Sequence, residues 1–142
     1  RPLSNRIAPI QPLRDKLQEA MWEDVGVMRT ETGMRRGQAR IADIQAELME
    51  TGISGDNLAF NLTWHDWLNM ASLCEISEVI TEAGLARENS RGAHFREDFP
   101  EPGALETTTF TRVSMTGEAL NATVSPVDFT HVRPGESLFK EV

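Results

Sequence analysis

Between Arg87 and Pro100 the chain gathers three guanidiniums (Arg87, Arg91, Arg96), three carboxylates (Glu88, Glu97, Asp98) and the imidazole of His94 around one glycine, Gly92. Arginine presents a planar fork of donors that pairs bidentately with a carboxylate or phosphate, so this mixture points to a fixed ion-pair network or an anion site. A structural network is the stronger expectation, because such networks perturb acidity without doing chemistry. His94 could titrate near neutrality as a base or a switch. Among so many carboxylates, though, it is expected to donate a structural hydrogen bond. Gly92 is read as backbone freedom where the chain leaves a helix.

Other residues capable of chemistry lack the company they would need. His65, His94 and His131 fall in three different elements with no second ligand-type residue at metal spacing, so no metal site is expected. Cys74 lies mid-helix on an apolar face and reads as a small buried hydrophobe, not a nucleophile. Arg35, Arg36 and Arg40 form the other compact basic group and read as a solvated helix face. No glycine pattern fits the turn that cradles a dinucleotide pyrophosphate, so no cofactor-binding residue is expected here.

Composition narrows the partners. A formal charge of −8 over 142 residues argues against nucleic acid and anionic membrane surfaces. A lone cysteine precludes an internal disulfide and fits a reducing, cytoplasmic compartment. No apolar run approaches the ~20 residues of a membrane span, so direct insertion is not expected.

The elements that hold the polar segment follow from hydrophobic period. Leu13, Leu17, Met21, Val25 and Met28 make one stripe of a first helix, with Pro12 at its start. Met34, Gly37, Ile41, Ile44 and Leu48 make the stripe of a second, which Gly52 stops. Ser54 to Asn57 then turns, and Thr63 with Asp66 resembles a capping box opening a third helix. From Trp64 to Leu85 that helix is apolar around most of its circumference and must meet more than one neighbour. Beyond Gly103, Thr107 to Val113 and Thr123–Val124 around Thr116-Gly117-Glu118 predict a β-hairpin that lies across the bundle or pairs with another chain segment. The fold expected is mostly α: a three-helix bundle followed by a β-hairpin and an extended C-terminal tail.

As strings, two stretches resemble the succinate dehydrogenase and fumarate reductase flavoprotein family, which includes L-aspartate oxidase. Arg87 and Ser90-Arg91-Gly92-Ala93-His94 match its Arg-x-x-Ser-Arg-Gly-Ala-His signature, and Arg96 and Asp98-Phe99-Pro100 match the positions just after it. Upstream, Met21-Trp22 through Val25-Gly26 to Arg29 is similar to the Met-Trp-x-x-Val-Gly-x-x-Arg that opens the family's C-terminal helical domain. The resemblance covers roughly Leu13 to Pro102. It departs at Asn89, where the family usually has Glu. The segment from Glu106 to Val142 also lacks the Trp-Lys-His element of the respiratory members.

The resemblance implies a C-terminal scaffold docking on the flavin-binding domain of an FAD-dependent enzyme that acts on succinate, fumarate or a related dicarboxylate. FAD would sit in that upstream domain and none in this fragment, which would be inactive alone. It divides the chain into 1–11, a linker from a missing upstream flavin-binding region; 12–102, the helical bundle with its signature loop; and 103–142, hairpin and tail. Arg87, Ser90, Arg91, His94, Arg96 and Asp98 would serve domain docking, with no catalytic residue here. Partners would be the flavin-binding domain of the same chain and an iron–sulfur subunit, through which the protein would associate with a membrane. The alternative is a stand-alone helical interaction module without redox activity.

Overall fold

The computed structural model describes residues 6–136 apart from Asp56, Leu58 and Glu118. The first residues of the expected linker, parts of both expected turns and the tail beyond Glu136 lie outside the described residues. Among the described residues about 46% are helical and 19% strand, hence mostly α.

Three helices carry the core: α1 (Gln11–Val25), α2 (Glu31–Met49) and α3 (Leu62–Ala86). Every apolar position in the predicted α2 stripe is buried, Gly37 included, as are Leu13, Leu17 and Val25 of α1. Of these, Leu13, Leu17, Ile41, Ile44 and Leu48 meet Met70 and Cys74 of α3 in one cluster, against which Ile10, Met21, Trp67 and Ala71 pack. Gly37 marks the close approach of α1 and α2: a Cβ there would lie 2.9 Å from Val25 Cγ2 and 3.1 Å from Asp24 Cβ. The predicted α1 stripe runs one residue too far. The helix ends at Val25, and Met28 belongs instead to a two-residue strand, β1 (Met28–Arg29), with its side chain exposed.

Helix α3 contacts α1, α2 and both strands of the hairpin, as its wide apolar surface requires. Its start differs from the expected capping box. Asn61 is the N-cap, its side chain accepting from the Trp64 N–H, while the Thr63 hydroxyl donates to Ser54 O and Asn61 Oδ1. Trp67 Nε1 donates to Leu48 O and Thr51 O, each at 3.1 Å, satisfying carbonyls at the end of α2. The lead into α1 is seated, not free: Ile7 bridges Gly52, whose N–H donates to Arg6 O at 2.8 Å.

After α3 comes β2 (Phe95–Arg96), which pairs in parallel with β1 in the register Met28↔Phe95 and Arg29↔Arg96. Then β3 (Thr109–Thr116) and β4 (Ala119–Pro126) form the antiparallel hairpin predicted from the threonine- and valine-rich segment. Gly117 in its turn has φ +65°, a conformation favoured by glycine. No described helix is long and apolar enough to cross a membrane.

Candidate functional site

The polar segment forms a loop between the C-terminus of α3 and β2, and Arg96 is its anchor. Its side chain is only 1% exposed, and its guanidinium divides between two tasks. Nη1 donates to the carbonyls of Gly84, Leu85 and Arg87 at 3.0, 3.2 and 3.1 Å, so one cation satisfies the last turn of α3 and meets the negative end of its dipole. Nε and Nη2 form a fork on Asp98, both contacts at 2.7 Å. Asp98 in turn accepts the Glu31 N–H at 2.8 Å, at the N-terminus of α2, where the Thr30 hydroxyl accepts from Gly33. The Arg96 fork holds the Asp98 carboxyl well below the usual carboxylate range, helped by that backbone N–H. The Phe99 ring lies 4.9 Å from the Arg96 guanidinium carbon.

Ser90 closes the loop from within. Its hydroxyl accepts the Arg96 N–H at 2.8 Å and lies 2.8 Å from Phe99 O, to which it donates. Arg91 and His94 exchange backbone hydrogen bonds across a tight turn, in which Gly92 has φ +58°. Gly92 therefore serves this turn, six residues beyond the helix, and not the helix exit. Arg91 reaches the other way, with Nε on Pro102 O and Nη2 on Ala104 O, both at 2.5 Å, and Nη1 on Thr108 Oγ1 at 2.8 Å. It ties the loop to the segment leading into β3.

His94 is buried, but its neighbours are not the carboxylates expected from sequence. Arg29 Nη1 lies 2.7 Å from Nδ1, and Arg87 O lies 3.4 Å from Nε2. A guanidinium can only donate, so Nδ1 accepts and Nε2 carries the proton toward the carbonyl, leaving a neutral imidazole. Burial lowers the His94 pKa first, and the charges of Arg87, Arg29 and Arg96 lower it further. Arg29 also donates from Nε to Val25 O, and its own pKa is lowered by burial and by Arg87. Arg87, the C-cap of α3, has Asn89 Oδ1 as its described side-chain partner at 3.2 Å.

All six predicted docking residues thus lie in or beside one loop. Ser90, Arg91, Arg96 and Asp98 direct their hydrogen bonds inward, while Arg87 is left at the edge. Arg29 was missed as a member, although it closes the upstream motif. Also missed was a second network: Asp24, 1% exposed, accepts from Arg36 Nε at 2.8 Å and Arg40 Nη1 at 3.1 Å, and Arg40 continues to Glu23 at 2.7 Å. Arg36 and Arg40 are therefore not a simple solvated face. They partner a carboxylate buried near the end of α1.

The N-termini of α2 and α3 are occupied by Thr30, Asp98 and Asn61, and no glycine-rich turn precedes a helix among the described residues. No group of three or more His, Cys, Asp or Glu among the described residues could hold a metal ion. Burial pushes the Cys74 thiol up to about 11, with Glu78 and Glu75 adding to it, so it is no nucleophile at neutral pH.

Residues 14–138 match the family model described as fumarate reductase flavoprotein C-term. Among curated proteins, the chain is 34% identical over 89 residues to a subunit of the fumarate reductase (CoM/CoB) of Methanothermobacter marburgensis, covering 63% of this chain and 16% of that protein. It is 37% identical over 95 residues to L-aspartate oxidase 1 of Ralstonia nicotianae, covering 66% and 17%. Among solved structures it resembles a mutant form of E. coli quinol fumarate reductase FrdA, with TM-score 0.76, 25% identity, and coverage of 94% of this chain and 24% of that one. The chain spans about a sixth of the length of these curated relatives. The match extends beyond the hairpin into the tail.

Proposed function

Because the chain belongs to the fumarate reductase flavoprotein C-terminal family, we propose that it is the helical scaffold of an FAD-dependent oxidoreductase acting on a C4 dicarboxylate, succinate, fumarate or an amino relative. The observation that carries this is the correspondence of both motifs, which the fold brings into contact: Arg29 of the first against His94 of the second. A scaffold needs a rigid edge, and the Arg96–Asp98 clamp provides one by joining the end of α3 to the start of α2.

On this reading residues 1–11 lead from a flavin-binding domain, 12–102 form the bundle and loop, and 103–142 add the hairpin and an extended tail. FAD and the catalytic groups belong to that upstream domain, which is the principal partner, and an iron–sulfur subunit is a second. Arg87 faces the partner directly, while Ser90, Arg91, His94, Arg96 and Asp98 hold the shape of the edge. Localisation is cytoplasmic, with membrane association through partner subunits.

The test compares this chain alone with the longer protein that contains it. The longer protein should be yellow and should turn over succinate, fumarate or L-aspartate with an artificial electron acceptor, while the chain alone should be colourless and inactive. Stoichiometric FAD on the chain alone, or a native reading frame with no flavin-binding portion, would overturn the proposal in favour of a stand-alone module.

A further inference from the structure

We propose that Arg29 and Arg87, beside His94, form a binding position for one carboxylate group. This deepens the docking reading above, on which its assignment to an interdomain contact rests. The position is defined by what its neighbours lack. Arg35, Arg36, Arg40 and Arg96 each have a carboxylate partner, and Arg91 spends its donors on carbonyls and a hydroxyl. Arg29 and Arg87 are half-buried and close enough to repel one another, yet no described carboxylate forms an ion pair with either. In a chain of net charge −8, two neighbouring half-buried guanidiniums without a described acid stand out from the exposed Arg112 and Arg133, which also lack one. Their remaining donors are free to receive an anion, and partial burial strengthens such a contact over one in open water.

The surroundings select the kind of anion. Around the pair stand the neutral imidazole of His94 and the Arg96–Asp98 pair from the β2 side, with Glu31 of α2 and Glu88 of the loop bearing on Arg96. Two guanidiniums whose planar forks pair bidentately with a carboxylate, set beside an uncharged ring, suit a carboxylate group. The occupant is therefore a carboxylate, either a side chain on an adjoining protein surface or a free small acid.

His94 is a built-in reporter, since an anion at this position offsets the charges that keep its ring neutral. Its ring resonances are followed by NMR against pH, in sodium acetate and sodium chloride of matched ionic strength. Acetate should raise the His94 midpoint by about half to one pH unit over chloride, the scale of a charge brought within ~4–6 Å at a partly exposed site. R87Q should raise the midpoint in chloride, by removing a repelling charge, and abolish the acetate response. R87K should keep the low midpoint and lose most of that response, because it lacks the fork.

In the longer protein, a midpoint already high and insensitive to acetate assigns the position to an interdomain carboxylate. A low, acetate-sensitive midpoint there assigns it to a free small acid. Equal midpoints in acetate and chloride for this chain alone, as when Glu88 swings in to fill the position, would overturn the proposal whatever becomes of the flavoprotein reading. So would an acetate response undiminished in R87Q.

Discussion

Replacing Arg96 with alanine removes the cation that serves both the end of α3 and Asp98. Three carbonyls, those of Gly84, Leu85 and Arg87, lose a shared donor, and Asp98 keeps only the Glu31 N–H of its partners outside the loop. Breaking a buried pair from one side costs about 3–5 kcal/mol, and each buried group left unsatisfied costs about 1–3 kcal/mol. Asp98 is 30% exposed, so water can replace part of what it loses, which places the net cost toward the low end, about 3 kcal/mol. At roughly 2–4 °C per kcal/mol for a domain of this size, the melting temperature falls by about 10 °C. The assay is urea unfolding followed by far-UV circular dichroism, in which the midpoint should fall with the slope unchanged. Arg96→Met keeps most of the side-chain volume and separates packing from polar satisfaction. It should still lose about 2 kcal/mol. A methionine variant as stable as the parent would refute the capping argument, because volume alone would then explain the site.

Two further outcomes are expected of the same structure. Asp24→Asn removes the charge that Arg36 and Arg40 share and should lower stability by about 1–3 kcal/mol in the same assay; an unchanged urea midpoint would show that the network is idle. The pKa of His94 is lower in the folded chain than in the unfolded chain, whose ordinary value is about 6.5, so below that pH the unfolded state binds the extra proton. Stability should then be full above about pH 6.5 and decline as pH falls toward the lower folded value, and His94→Gln should flatten the change in urea midpoint between about pH 5 and pH 7.5. A slope that survives in His94→Gln would place its origin elsewhere.

The helical stripes were legible because burial enforces the period: Met34, Gly37, Ile41, Ile44 and Leu48 had to share one face, and they do. The hairpin was legible because threonines and valines flank a glycine turn. Contacts set by tertiary approach were not. Arg29 and His94 are far apart in sequence and meet only once β1 and β2 pair, and two residues per strand leave no alternation to read. Asp24 looked like one more acid beside Glu23, and only the close crossing of α1 and α2 at Gly37 buries it against α2's arginines. The start of α3 misled for a local reason. Asn61 and Thr63 are both good caps, and the choice between them depended on Ser54, whose carbonyl takes the threonine hydroxyl.

The Arg96–Asp98 clamp also orders events in time. Its grip on the tail of α3 is local to the loop, but its grip on the head of α2 cannot exist until α2 and α3 have come together. Closing so long a stretch of chain carries an entropic penalty that only the assembled bundle repays. The loop is therefore a latch that shuts late, and its closed form certifies that the framework behind it is complete before any other surface comes to rest upon it.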